Sequence, residues 1–211
     1  MIVYDRPATL RGSSKWEPSK VGSGLAGQAS SFFMSENKVV FNAQSLQRAL
    51  ARIAHEIAER NESAADVVLI GIQRGGVHVA TRLAKLLETI WSRPVPHGTI
   101  DVGMHRDDIP QHVAPQVHPT NIPFDLDGKI VVLADDVFFS GRTVRAALDA
   151  IHDLGRPSSI QLAVLIDRGH RELPIKPDFV GKNVATTLKE RIDVALREDG
   201  AAEDSASIVT L

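Results

Sequence analysis

The chain has 211 residues, 43% of them hydrophobic, and a formal net charge of -2, which predicts one globular domain with a sizeable core and a short appendage. It contains no cysteine, so disulfides and thiolate metal sites are excluded. We find neither a stretch of the roughly 18 apolar residues that cross a membrane nor a secretory signal, so we expect a cytoplasmic protein without membrane contact. The near-neutral net charge argues against a protein that coats nucleic acid.

The N-terminal part of the chain changes character before the first helix. Residues 1–35 are rich in Ser, Gly and Lys without an amphipathic period, which predicts a mobile tail. Because the periodic sequence begins just after Met34, we interpret this residue as a candidate alternative start site. From Asn42 to Asn61, apolar residues at helical spacing predict a capped helix. Its apolar face is formed by Leu46, Leu50, Ile53 and Ile57. Its opposite face carries Arg48, Arg52, His55 and Glu59.

A strand, a helix and a second strand follow in order. Asp66–Ile72 is a continuous apolar run typical of a buried strand, Val77–Trp91 has a helical period, and His97–Met104 has the pattern of another strand. This order predicts a right-handed βαβ unit. Between Arg106 and Phe124, four prolines and polar residues form a loop long enough to be functional, and we interpret it as a candidate lid.

The second half repeats the alternation. Lys129–Thr143, with the sequence KIVVLADDVFFSGRT, predicts a buried strand, a loop and the start of a helix that runs to Leu154. Ser159–Ile166 predicts one more buried strand, and the short pieces Ile192–Leu196 and Ile208–Val209 predict a small C-terminal subdomain or hood. The expected class is α/β, with a mainly parallel sheet flanked by helices, whose ligands bind beyond the carboxyl ends of the strands.

We therefore expect three segments. They are a tail at residues 1–35, a main domain at 36–198, and a tail or short strand at 199–211.

Two adjacent acids, Asp135 and Asp136, stand at the end of a predicted buried strand, where each raises the cost of ionising the other. Together they can accept hydrogen bonds from vicinal ribose hydroxyls, directly or through hydrated magnesium. The loop after them supplies Ser140, Gly141 and Thr143 before a helix N-terminus, a combination that cradles phosphate. A sugar 5-phosphate therefore fits. For the two acids alone, a turn-capping pair or a phospho-acceptor acid remains open.

The whole segment resembles the phosphoribosyl-diphosphate (PRPP) binding motif of type I phosphoribosyltransferases. Gly155–Asn183, with the sequence GRPSSIQLAVLIDRGHRELPIKPDFVGKN, is similar to the corresponding block of the PyrR family, which are bifunctional pyrimidine operon attenuators and uracil phosphoribosyltransferases. Arg48–Asn61 and Met104–Ile109 resemble the same family. In order and spacing, the resemblance covers roughly residues 38–198.

The resemblance implies that uracil and PRPP react to give uridine monophosphate (UMP) and diphosphate, with Mg²⁺ as cofactor. Displacement at the anomeric carbon passes through an oxocarbenium-like state, so catalysis rests on positioning and charge stabilisation. By this resemblance Asp135 and Asp136 are catalytic, hold the ribose hydroxyls and are the candidate protein contacts of Mg²⁺. The implied PRPP-binding residues are Asp135, Asp136, Val137, Phe138, Phe139, Ser140, Gly141, Arg142 and Thr143.

The resemblance also implies a pyrophosphate turn and a base site. Arg74, Gly75 and Gly76 would form the turn, although the family has Thr-Arg-Gly at these positions. Arg106 would close over the pyrophosphate from the lid as a third catalytic residue. Arg168 and the backbone near Ile192 would lie close to uracil.

A second implied activity is nucleotide-dependent binding of a hairpin in the mRNA leader of a pyrimidine operon, by a homodimer or larger assembly. The implied RNA-binding residues are Arg52, His55, Arg171, Lys176 and Lys182. The family has threonine where this chain has Ala51 and arginine where it has Lys176. Two alternatives remain open from the sequence: an RNA-binding attenuator with vestigial catalysis, and a phosphoribosyltransferase for another base.

Overall fold

A computed structural model describes residues 38–62, 64–105 and 118–211, all of which belong to one unit, Ser35–Leu211. The predicted tail 1–35, the start-site hypothesis at Met34 and the catalytic assignment of Arg106 lie outside the described residues. Among the helices of this part of the chain, none is both long and apolar enough to cross a membrane.

The described residues form eight strands and three helices. In chain order they are β1 (Lys38–Phe41), α1 (Ala43–Arg60), β2 (Val67–Ile72), α2 (Gly75–Trp91), β3 (His97–Ile100), β4 (Ile130–Phe138), α3 (Arg142–Leu154), β5 (Ser159–Asp167), β6 (Phe179–Asn183), β7 (Glu190–Ala195) and β8 (Ser205–Thr210). Three short 3₁₀ turns lie at Ala64–Asp66, Gly103–His105 and Arg197–Asp199.

The main sheet has five strands in the order β3-β2-β4-β5-β6, and every neighbouring pair is parallel. Successive residues of β2 face opposite layers: Val67 and Leu69 pack with α1 and α2, whereas Val68 and Ile70 pack on the side of α3. Helices therefore cover both faces, which explains why the central strands are apolar without alternation. The predicted α/β class and parallel sheet are confirmed.

A smaller antiparallel sheet, in the order β1-β8-β7, forms the hood. The predicted pieces Ile192–Leu196 and Ile208–Val209 mark β7 and β8, so the small subdomain is confirmed, and β8 falls within the predicted segment 199–211. The sequence analysis missed β1 and β6. It also extended β3 too far, because the chain leaves the sheet after Ile100 and forms the 3₁₀ turn Gly103–His105.

The first helix begins and ends where its sequence predicts. Asn42 accepts a hydrogen bond from the backbone of Ser45 at 2.9 Å, and the Ser45 hydroxyl accepts one from the Asn42 backbone at 2.9 Å, which together form a capping box. Asn61 ends the helix, and its backbone N–H bonds to Ile57. These local bonds satisfy backbone groups that would otherwise lie unpaired at the helix ends.

A polar cluster joins the hood to α2. The guanidinium of Arg82 bonds both oxygens of Glu198 at 2.8 and 2.5 Å and both oxygens of Asp204 at 2.7 and 2.9 Å. Hydrogen bonds to the two acids raise the pKa of Arg82, and the bonds from Arg82 lower theirs. One turn earlier on α2, His78 Nε2 lies 3.0 Å from Asp199 Oδ1. These contacts hold the turn between β7 and β8 against the helix whose N-terminus faces the acid pair.

Candidate functional site

The acid pair lies among the last four residues of β4, which continues to Phe138, rather than just beyond the strand. Asp135 is 7% exposed, and its Oδ1 accepts the backbone N–H of Asp136 at 3.0 Å. Asp136 Oδ1 accepts the N–H of Val137 at 2.8 Å. The strand backbone thus fixes both carboxylates at the carboxyl edge of the sheet, where α/β proteins bind ligands.

Burial raises the pKa of Asp136 because the charged carboxylate loses hydration, while hydrogen bonds from Val137 and with Asp135 act in the opposite direction. The negative charge of Asp199 adds to the increase. The Asp136 carboxyl therefore accepts a proton at higher pH than an exposed aspartate. A bound cation or a set of ligand hydroxyls at this position would favour the charged form.

The first turn of α2 packs directly against the acid pair. A Cβ at Gly75 would lie 2.1 Å from Asp136 Oδ2, and one at Gly76 would lie 2.3 Å from the carbonyl oxygen of Ala134. A side chain at Gly75 would displace the Asp136 carboxylate, and one at Gly76 would displace the backbone of β4, so close approach favours glycine at both positions. The predicted pyrophosphate turn is corrected in part: Gly75 and Gly76 begin the helix, and the turn itself is Gln73–Arg74, whose peptide bond is cis. Arg74 is exposed.

A tight bend after β4 leads into α3. Gly141 has φ +93°, a left-handed conformation that other residues rarely adopt. It caps α3, so the helix begins at Arg142 with its first backbone N–H groups turned toward the bend. The N–H of Arg142 lies 3.4 Å from Ser140 Oγ. Hydroxyl, amides and helix dipole converge here, an arrangement that binds phosphate.

A cavity of about 250 Å³ opens beside Asp135 and this bend. Its lining includes every residue of the predicted PRPP set except Asp136, whose carboxylate faces Gly75. Two lining residues, Val144 and Glu172, were missed. The lining residues are Asp135, Val137, Phe138, Phe139, Ser140, Gly141, Arg142, Thr143, Val144 and Glu172.

Arg168 lies on the far side of the cavity wall, at 8% exposure. Its guanidinium lies over the ring of Phe139, 4.2 Å from the centroid, and burial lowers its pKa. Its side chain also bonds three groups at or before the start of β7, namely Thr186 Oγ1 at 3.1 Å, the Thr187 carbonyl at 3.2 Å and the Glu190 carbonyl at 2.6 Å. Arg168 therefore links the cavity wall to the hood strand that carries Ile192.

Among the predicted RNA-binding residues, Arg52 and Lys182 meet at the edge strand β6. Arg52 bonds Glu56 at 2.6 Å and the carbonyls of Val180 and Gly181 at 3.1 and 2.6 Å. Lys182 donates to a backbone carbonyl of β1 at 3.0 Å. Both residues are exposed, and both side chains also bond the backbone of a neighbouring element.

The other three predicted RNA contacts differ in their surroundings. Arg171 forms an ion pair with buried Asp167 and lies over the ring of Phe138, 5.5 Å from the centroid. Lys176 and His55 are exposed. The structure thus gives Arg171 a structural role besides any contact with a partner.

The chain is similar in sequence to one family of proteins. The phosphoribosyl transferase domain family matches residues 40–199. The bifunctional protein PyrR of Chloroflexus aurantiacus is 56% identical over 172 residues, which are 81% of this chain and 94% of that protein. PyrR of Streptomyces coelicolor is 54% identical, over 78% of this chain and 86% of that protein. PyrR of Listeria welshimeri is 49% identical, over 83% and 98%.

Solved structures share the fold at low identity. The hypoxanthine phosphoribosyltransferase of Trypanosoma cruzi superposes with a TM-score of 0.62 at 17% identity, over 82% of this chain and 96% of that one. A hypoxanthine-guanine phosphoribosyltransferase from Bacillus anthracis gives the same TM-score at 19% identity, over 82% and 97%. The predicted type I phosphoribosyltransferase fold is confirmed.

Proposed function

The chain belongs to the PyrR family of phosphoribosyl transferases, and we propose on that basis that it transfers the phosphoribosyl group of PRPP to uracil and also binds the mRNA leader of a pyrimidine operon. The observation that supports the transferase most directly is the cavity in which Asp135 lies beside the bend at Ser140 and Gly141. A carboxylate acceptor and amide donors that line one cavity suit the hydroxyls and the 5-phosphate of one ribose phosphate.

The residues have separate tasks in this reaction. A ring nitrogen of uracil forms a bond to the anomeric carbon of PRPP, the bond from that carbon to diphosphate breaks, and the proton of the nitrogen is released. Asp135 and Asp136 hold the ribose hydroxyls, while the bend and the N-terminus of α3 hold the 5-phosphate. We assign the backbone at Arg74 and Gly75 to the leaving diphosphate, because the first turn of α2 packs against the acid pair. The fixed carboxylates stabilise positive charge on the ribose ring in the transition state.

The acid pair is also the part of the site that fits Mg²⁺. Its donors are carboxylate oxygens, which magnesium prefers, and among the described residues no group of three or more His, Cys, Asp or Glu side chains is placed to hold a metal ion. This donor set suits an ion that takes most of its ligands from the substrate phosphates and water. When bound, Mg²⁺ neutralises charge on the diphosphate leaving group.

A steady-state assay tests the transferase. With purified protein, PRPP, Mg²⁺ and labelled uracil, we expect labelled UMP to form, and we expect hypoxanthine to give no nucleotide under the same conditions. The hypoxanthine arm separates uracil transfer from transfer to another base. Folded protein that forms no UMP would leave RNA binding as the remaining activity.

For RNA, we expect Lys182→Ala and Lys176→Ala each to weaken binding of a pyrimidine-operon leader hairpin about threefold to tenfold. Because each variant removes one phosphate contact, the slope of log binding constant against log salt concentration, the salt slope, should fall in magnitude by about 1. Arg171 is a poor choice, since its removal leaves buried Asp167 without its cation. Gel shifts over a range of salt concentrations measure both quantities.

The matched control for this experiment is Lys129→Ala. Lys129 is also a partly exposed lysine, but it pairs with Asp66 at the amino end of β4, away from β6. We expect RNA affinity and salt slope to stay at the wild-type values in this variant. Equal losses in all three variants would contradict the assignment of Lys176 and Lys182 to RNA binding.

A further inference from the structure

One short segment, Arg168–Leu173, contacts the wall of the phosphate cavity at four of its residues. Arg168 lies over Phe139 and Arg171 over Phe138. The backbone N–H groups of Glu172 and Leu173 both donate to the carbonyl of Ser140, at 2.9 and 3.3 Å. We call this segment the cover. Its position is therefore fixed by the same residues that form the cavity wall.

Glu172 is the residue of the cover that enters the cavity lining. Its Oε2 accepts a hydrogen bond from Nε of Arg142 at 2.7 Å, and Arg142 is the first residue of α3. The carboxylate is thus an anion held at the N-terminus of a helix, next to the bend at Gly141. A helix N-terminus and an arginine are also what a phosphate group binds.

A phosphate dianion and the Glu172 carboxylate cannot share this place without cost. Like charges at short range repel, and the two anions need the same guanidinium. Arg142 and Glu172 are 37% and 50% exposed, so their ion pair is weak enough to be exchanged. A ligand phosphate that displaces Glu172 replaces one negatively charged partner of Arg142 with another.

We propose that Glu172 is an internal competitor for the nucleotide 5-phosphate: it pairs with Arg142 in the free protein and is displaced when the phosphate of UMP or PRPP binds. The inference rests on the proposed function for the identity of the ligand, and adds how the chain limits its affinity. Because Arg171 is the adjacent residue of the cover and contacts the cavity wall through Phe138, the exchange also connects the phosphate site to a predicted RNA contact.

The test is Glu172→Gln, which keeps the size of the side chain and removes its charge. We expect calorimetry to show UMP binding about threefold to fivefold tighter than in the wild type. In the variant, the phosphate no longer competes with an Arg142–Glu172 ion pair that contributes about 1 kcal/mol or less. Thermal unfolding within a few degrees of the wild type will show that the variant is folded.

The control is Asp149→Asn. Asp149 forms the equivalent ion pair with Arg145 on the same helix, at 2.8 Å and with side chains 53% and 36% exposed, but it does not line the cavity. We expect its UMP affinity to equal that of the wild type. Both variants lose one negative charge, so a difference in their UMP affinities shows the effect of the position of the carboxylate.

The outcomes separate this inference from the proposed function. Wild-type protein that binds UMP, with Glu172→Gln no tighter than Asp149→Asn, overturns the role of Glu172 and leaves the phosphoribosyltransferase intact. Folded wild-type protein that binds neither UMP nor PRPP overturns both. In gel shifts with the leader hairpin at saturating UMP, we expect UMP to change RNA affinity less in Glu172→Gln than in the wild type, because the variant has no carboxylate for the phosphate to displace. An equal change in both proteins contradicts the connection through the cover.

Discussion

Asp136→Asn is expected to lower kcat for UMP formation by about 100-fold to 1,000-fold, the usual effect of removing one preorganised charge from a transition state. Asparagine has the shape of aspartate and can still accept the backbone N–H of Val137, which Asp136 accepts at 2.8 Å. The fold is therefore retained, while the charge that we propose to stabilise the ribose cation is lost. Steady-state kinetics with saturating PRPP and uracil measure the effect.

The same substitution has an expected effect of opposite sign on stability. Burial raises the pKa of Asp136 in the folded protein, so the folded state binds this proton more tightly than the unfolded state, and stability falls as pH rises through that range. At neutral pH the ionised carboxylate therefore costs free energy of folding. We expect Asp136→Asn to unfold at the same temperature as the wild type or higher.

A control for the charge itself is Asp127→Asn. Asp127 also accepts a backbone N–H, from Arg156 at 2.6 Å, but it precedes β4 at the opposite end of the sheet. We expect wild-type kcat in that variant. Wild-type kcat in Asp136→Asn, or a large decrease in both variants, would contradict the assignment of the acid pair.

Gly75→Ala is expected to lower kcat/KM for PRPP by about 100-fold, because a misplacement of about 1 Å at a reacting group has an effect of this size. The added methyl would lie 2.1 Å from Asp136 Oδ2, so the carboxylate or the start of α2 must move. In an ordinary helix position, Gly→Ala stabilises a protein. Here we expect a loss of about 1 to 3 kcal/mol in the free energy of unfolding, from overpacking.

A double-mutant cycle assigns that loss to the contact with Asp136. In the Asp136→Ala background the carboxylate is absent, so Gly75→Ala should cost much less free energy of unfolding than it does in the wild type. Urea unfolding of the four proteins gives the coupling free energy. The same loss in both backgrounds would show that the methyl clashes with another part of the protein.

Contiguous features were predictable from the sequence. The cavity lining from Val137 to Thr143 is one uninterrupted segment, so its residues meet by chain connectivity alone. Asn42 and Asn61 were correctly identified as the ends of α1, because capping depends on neighbours within a few residues. Central strands such as β2 were recognisable because burial on both faces leaves a continuous apolar run.

Features that depend on long-range packing were not predictable. Nothing in the local pattern shows that Gly75 lies against Asp136 or that Glu172 reaches Arg142. The residues of each pair are far apart in the sequence and meet only when the sheet has formed. The edge strand β6, Phe179–Asn183, was missed because it carries a glycine and polar residues and has little apolar signal. The β3 strand was drawn too long because the alternation of side chains does not show where the chain leaves the sheet.

Calorimetry of PRPP binding in the presence of Mg²⁺ tests the central claim most directly, namely that the carboxylates of β4 and the bend at Gly141 together bind an activated ribose phosphate. We expect saturable binding of one PRPP per chain to the wild type and much weaker binding to Asp136→Asn. Wild-type protein that unfolds cooperatively on heating, and so is folded, yet gives no heat with PRPP and Mg²⁺ would contradict it.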